Sequence, residues 1–175
     1  MVHADSSNFS AGVGKREAYE QVLEQAKALY EGQRNWVANT ANTASLLWHA
    51  FKALPPPSAH VNWAGFYVLD ASKPNHLILA PFQGKVACQT IAFGKGVCGA
   101  AAAQAKTQLV PDVEKFPGHI ACDGDSKSEI VVPIIMGGKV VAIIDIDCAV
   151  ENAFDQVDQK HLEDLAALLA NACDW

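Results

Sequence analysis

The chain has 175 residues, half of them hydrophobic and 18% charged, with 13 Lys and Arg against 19 Asp and Glu and a formal net charge of -6. That length fits one compact domain with a sizeable core, and the acid excess argues against the basic face that a nucleic-acid partner needs. No apolar run reaches the roughly 18 residues of a membrane span, and the polar start lacks the basic segment and apolar run of a secretory signal. A cytoplasmic location is therefore expected, where an odd set of five cysteines points to catalysis, metal binding or core packing rather than a disulfide framework.

Residues 1–14 are polar and small, and read as a flexible leader. Tyr19, Val22, Leu23, Ala26, Leu29 and Tyr30 then recur at helical spacing and predict an amphipathic helix over 15–30, closed by Gly32. A second helix is predicted over 35–54, with Leu46, Leu47, Ala50 and Phe51 in its buried stripe and Pro55, Pro56 and Pro57 as its stop. After the prolines the period changes. Residues 61–69, 77–82 and 86–92 read as antiparallel strands separated by turn residues such as Pro74, Asn75 and Gly84. A short Ala-rich helix over 97–105 and a brief strand over 107–110 come next, followed by a polar connection over 111–127 long enough to be functional.

Strands are predicted over 129–135 and 139–147, paired through Gly137 and Gly138, because both glycines of a tight hairpin turn can take positive φ. A helix over 156–172, N-capped by Asp155, closes the chain. The fold class is α+β: a central antiparallel sheet flanked by N- and C-terminal helices.

Chemistry concentrates between Lys85 and Asp147. Side chains alternate along a strand, so Val141, Ile143, Asp145 and Asp147 are expected on one face and Val140, Ala142, Ile144 and Ile146 on the other. Glu129 starts the partner strand, opposite the end that carries Asp147. Three carboxyl groups meeting there would repel, which raises at least one pKa and leaves a proton donor near neutral pH. Asp-x-Asp plus Glu is also a hard oxygen set for a divalent metal, and both uses fit the pattern.

Cys122 stands among small residues in the 111–127 connection, where an accessible redox thiol could operate. Cys98 falls in the first turn of the Ala-rich helix, where the dipole favours a thiolate, so position alone suits it as a nucleophile as well as Cys122. Cys88 is expected on a strand. Their spacing gives no CxxC pair, and zinc bound by these three with His119 lacks the tight ligand pairs of structural sites. Cys148 and Cys173 read as core residues. The sequence Gly94-Lys95-Gly96-Val97-Cys98-Gly99 matches GxGxxG, yet the antiparallel surroundings and short helix argue against a dinucleotide site. Trp63 and Tyr67, four apart on one strand, share a face and pack the core or, if that face bears the acids, seat a methyl or thioether group.

Taken with NWAGFY at 62–67, APFQGKVAC at 80–88, FGKGVCG at 93–99, PDVEKFPGHIACDGDSKSEIVVPI at 111–134 and IDIDC at 144–148, these residues resemble the free methionine-(R)-sulfoxide reductases, which are GAF domains. The resemblance implies one GAF domain over residues 15–175 and a role in protection against oxidative damage. It implies that Cys122 attacks the sulfoxide sulfur of free methionine-(R)-sulfoxide while Glu129, Asp145 and Asp147 orient the substrate and help protonate its oxygen. Cys88 would resolve the resulting sulfenic acid to a disulfide, Cys98 would be a second resolving thiol, and thioredoxin would be the reductant. Trp63 and Tyr67 match positions packed around the substrate's methyl end. No cofactor and no resident metal are implied, and the family often forms homodimers. Two other readings keep their own signatures: a non-catalytic GAF module binding a cyclic nucleotide, and a metal-dependent hydrolase indifferent to cysteine replacement.

Overall fold

In the computed structural model, which describes residues 3–118 and 123–175, six antiparallel strands form one sheet in the order β3-β2-β1-β6-β5-β4. They are β1 (Val61–Leu69), β2 (His76–Gly84), β3 (Thr90–Ala92), β4 (Gln108–Val110), β5 (Ser128–Met136) and β6 (Lys139–Cys148). The sheet separates two apolar layers. On one face α1 (Lys15–Tyr30), α2 (Trp36–Ala53) and α4 (Gln156–Ala172) cover the larger core, into which the strands send Ala64, Phe66, Val132, Ile144 and Ile146. On the other face α3 (Gly96–Gln104) packs over Tyr67, Val131 and Ile143 in a smaller core. This alternation assigns Ala64, Phe66 and Val68 to the helices, and Trp63 and Tyr67 to the opposite side.

The helices end where their chemistry says they should. Asn35 caps α2, its side chain accepting hydrogen bonds from the Val37 and Ala38 amides at 2.9 and 3.3 Å. Asp155 and Asp158 form a reciprocal capping box at the start of α4. Asp158 also accepts from Lys15 Nζ at 2.6 Å and Tyr19 Oη at 2.9 Å, which ties α1 to α4 beneath the core surface. Residues 3–14 carry a 3-10 turn at Ala4–Ser7, and Phe9 and Val13 lie against the helical core.

Two expectations are corrected. Residues 86–88 are not strand, and β3 begins only at Thr90, so Cys88 lies in the irregular segment between β2 and β3. Alternation also slips at the start of β6. Ile134 pairs with Ala142 but Ile135 pairs with Val140, a bulge that turns Val140 to the α3 side and leaves Val141 against the helical core. Beyond the bulge the predicted face is kept, and Ile143, Asp145 and Asp147 follow one another toward the end of the strand. Gly137 and Gly138 make the hairpin with φ of 57° and 78°, the conformation for which a two-glycine turn was expected.

Candidate active site

The α3 side of the sheet holds a cavity of about 210 Å³ lined by Trp63, Tyr67, Cys88, Cys98 and the three acidic residues. Strand register makes it. Glu129 of β5 is paired with Asp147 of β6, and Asp145 and Asp147 are in turn paired with Gly65 and Trp63 of β1. One end of three adjacent strands therefore carries the acids beside the aromatic wall.

That wall is stacked. Trp63 lies 5.1 Å from Phe82 and 5.9 Å from Tyr67 between ring centroids, at interplanar angles of 15° and 24°. Its indole Nε1 donates to the Lys85 carbonyl at 3.1 Å, which fixes the ring from its polar end. The stack also needs Gly65 beneath it. A Cβ there would fall 2.2 Å from Phe82 Cβ and 2.8 Å from Trp63 Cη2.

The glycines of the GxGxxG match have backbone duties that suit the non-nucleotide reading. Gly94 and Gly96 take φ of 79° and 60°, and a Cβ on Gly99 would meet the Ala92 carbonyl at 2.3 Å. Helix α3 can thus lie close on β3, which brings Cys98 to the carboxyl groups. Cys98 is buried and its Sγ donates to Glu129 Oε1 at 3.6 Å. Burial, followed by the nearby charges of Asp145 and Glu129, pushes its thiol well above the ordinary range. The thiolate expected from the helix dipole is therefore corrected: desolvation and two carboxylates outweigh a partial charge at the helix end.

Burial also raises all three carboxyl groups. Glu129 is pushed well up, first by desolvation and then by Asp145 and Asp147. Asp147, partly exposed, is pushed well up by desolvation, Asp145 and Asp123. Asp145 is raised to about 6 by burial, its hydrogen bonds to Cys98 and Glu129 opposing the shift. Its Oδ1 has no hydrogen-bond partner among the described residues. Burial in such a site favours the protonated form of its carboxyl groups, and it offers an unpaired, nearly desolvated oxygen to a cationic or hydrogen-donating ligand.

Cys88 is half-buried at the cavity's edge and disulfide-bonded, whereas Cys98, Cys148 and Cys173 are free thiols. Cys148 and Cys173 are fully enclosed in the helical core, as their reading as core residues required. The expectations for Cys122 and His119 fall on residues 119–122, outside the described residues. Five polar residues around the site carry no periodicity signal in the sequence. Asn62 donates to Ser126 Oγ at 3.2 Å and Asp123 Oδ2 at 3.5 Å, and Lys85 Nζ pairs with Asp123 and Asp125 at 3.4 and 2.7 Å. These contacts join β1 and the end of β2 to the chain that follows residue 122. Four of the five stand outside regular strand or helix, where no periodicity could mark them; the signal available was the density of small and acidic residues at 123–126.

No helix is long and apolar enough to cross a membrane among the described residues. The sequence profile of the GAF domain matches residues 40–174. The chain is 57% identical over 172 residues to the free methionine-R-sulfoxide reductase of Saccharomyces cerevisiae, covering 98% of this chain and 94% of that protein. It is 40% identical to the Escherichia coli protein of the same name, over 90% of this chain and 89% of the relative. The fold is similar to the X-ray structure of free methionine-R-sulfoxide reductase from Neisseria meningitidis in complex with its substrate, with a TM-score of 0.86 and 39% identity, covering 98% and 95% of the two chains.

Proposed function

The chain belongs to the free methionine-R-sulfoxide reductases of the GAF domain family, and from that premise we propose that it reduces free methionine-(R)-sulfoxide to methionine with its own thiols. The observation that supports this most strongly is one cavity combining raised, buried carboxyl groups, a stacked aromatic wall and the disulfide-bonded Cys88.

In the proposed reaction the Cys122 thiolate attacks the sulfoxide sulfur. A carboxyl proton from the Glu129, Asp145 and Asp147 group passes to the departing oxygen, and the S–O bond transfers so that methionine leaves and Cys122 carries a sulfenic acid. The Cys88 thiol then attacks that sulfenic sulfur, water leaves, and a disulfide forms. Two thiols are oxidised for each sulfoxide reduced, and a dithiol protein of the thioredoxin class restores them. Asp145, the lowest of the three carboxyl groups, supplies negative charge to the substrate ammonium, while Trp63 and Tyr67 take its methyl end by dispersion. Cys98, held as a neutral thiol, donates into the carboxyl group and serves as a reserve resolving thiol.

Quantifying methionine released in a single turnover tests the assignment of thiols. Cys122→Ser is expected to release none, and Cys88→Ser one methionine per chain without further turnover. Methionine release by the Cys122 variant would overturn the order of attack.

A further inference from the structure

We propose that Cys98, Glu129 and Asp145 also form a binding site for one zinc-class divalent cation. The three side chains come from α3, β5 and β6, and one ligand atom from each lies within 4.8 Å of the other two. Cys98 Sγ and Glu129 Oε1 are 3.6 Å apart. In a tetrahedral zinc site with metal–sulfur near 2.3 Å and metal–oxygen near 2.0–2.2 Å, a sulfur and an oxygen ligand stand roughly 3.5 Å apart. This pair already has that separation.

A second observation points to a ligand independently of the spacing. Asp145 is 5% exposed, lines the cavity, and keeps Oδ1 without a hydrogen-bond partner among the described residues. A buried carboxylate oxygen left unpaired is costly, and a cation bonded to it removes the cost. The donor set selects the ion. One thiol sulfur with two carboxyl groups suits a borderline-soft cation that accepts four ligands, whereas magnesium and calcium need six or more oxygens. The fourth position opens onto the cavity and takes water.

On binding, the Cys98 S–H bond breaks, its proton passes to solvent, and the sulfur lone pair enters the metal bond; any proton held by the two carboxyl groups leaves likewise. No electron moves. Cys98 is a free thiol while Cys88 is disulfide-bonded, so the site persists in the oxidised protein. The cation site stands on this geometry alone. Only its consequence, exclusion of the sulfoxide from the shared carboxyl groups and hence inhibition by zinc, rests on the reductase reading.

The test uses cobalt(II) as a spectroscopic stand-in, added to full-length protein oxidised beforehand so that Cys88 stays in its disulfide. One equivalent should give a near-ultraviolet sulfur-to-cobalt charge-transfer band with the visible bands of a four-coordinate ion, both displaced by zinc and unaffected by excess magnesium. Cys98→Ser should abolish the charge-transfer band. Glu129→Gln, which keeps the thiol, should weaken cobalt binding at least tenfold with an unchanged far-ultraviolet dichroism spectrum. Absence of the band in the folded wild-type protein, or its survival in Cys98→Ser, overturns the site whether or not the protein reduces sulfoxide. If the band forms as expected but free methionine sulfoxide does not displace the ion, the cation site stands and the shared substrate site is rejected.

Discussion

At the scale of single residues, the cost of the acidic site falls on stability. Asp145 has a carboxyl raised from 3.8 to about 6, so the folded protein holds that proton more tightly than the unfolded chain does. Its sign is therefore opposite to that of a salt-bridged aspartate: between about pH 4 and pH 6 stability falls as pH rises, because the folded state must ionise a desolvated group. The shift corresponds to on the order of 3 kcal/mol above that window. Asp145→Asn is expected to recover on the order of 1–3 kcal/mol in urea unfolding at neutral pH, with little gain near pH 4, while losing most sulfoxide reduction. A variant less stable than wild type at neutral pH would mean that Asp145 is held by favourable contacts instead. The acids were legible because Asp145 and Asp147 alternate on a strand and Glu129 opens its hairpin partner. The state of Cys98 was not legible. Its place in a first helical turn is local information, but its burial against Glu129 depends on how α3 docks.

At the scale of elements, bulges and glycines decide where the site sits. The four α-helices and most strands could be read from period, breakers and turns, since the three prolines after α2, the Asp155 cap and the Gly137-Gly138 turn act over a few positions, whereas the Asn35 cap shows only in the structure. The bulge at Val141 escaped because period-two reasoning assumes an unbroken ladder, and nothing in Lys139-Val140-Val141 marks the extra residue. The segment 86–88 was misread for a related reason: Val86 and Ala87 have strand-like apolarity, yet Val86 is 89% exposed at the cavity mouth. Gly65 is the most exacting position in the sheet. Gly65→Ala would drive a methyl group into Phe82 and Trp63, and is expected to lower stability by at least about 2 kcal/mol and to unstack the aromatic wall. Thermal unfolding with tryptophan fluorescence checks both effects; an unchanged midpoint and spectrum would show that the strand yields without disturbing the wall.

At the scale of the whole molecule, the sheet divides stability from chemistry. The larger core lies under α1, α2 and α4, while the opposite face carries the smaller core and the cavity with its three carboxyl groups. Asp158 tests the separation. Replacing it with Ala removes one of the two carboxylate partners of Lys15, leaving Asp155 at 2.9 Å, frees the Tyr19 hydroxyl and removes one half of the α4 capping box, at an expected cost of about 3 kcal/mol. Methionine released in a single turnover, normalised to folded protein, should be unchanged; a fall in it would show that the helical face couples to the site. Reduction of the sulfoxide by the protein's own thiols is tested by mixing reduced wild-type protein with racemic free methionine sulfoxide, without recycling reductant, followed by chiral analysis of the remaining sulfoxide and a thiol count. Only the R epimer is expected to disappear, with two thiols lost for each methionine formed. Consumption of neither epimer, or of both equally, or methionine formed with the thiols intact, would contradict that chemistry.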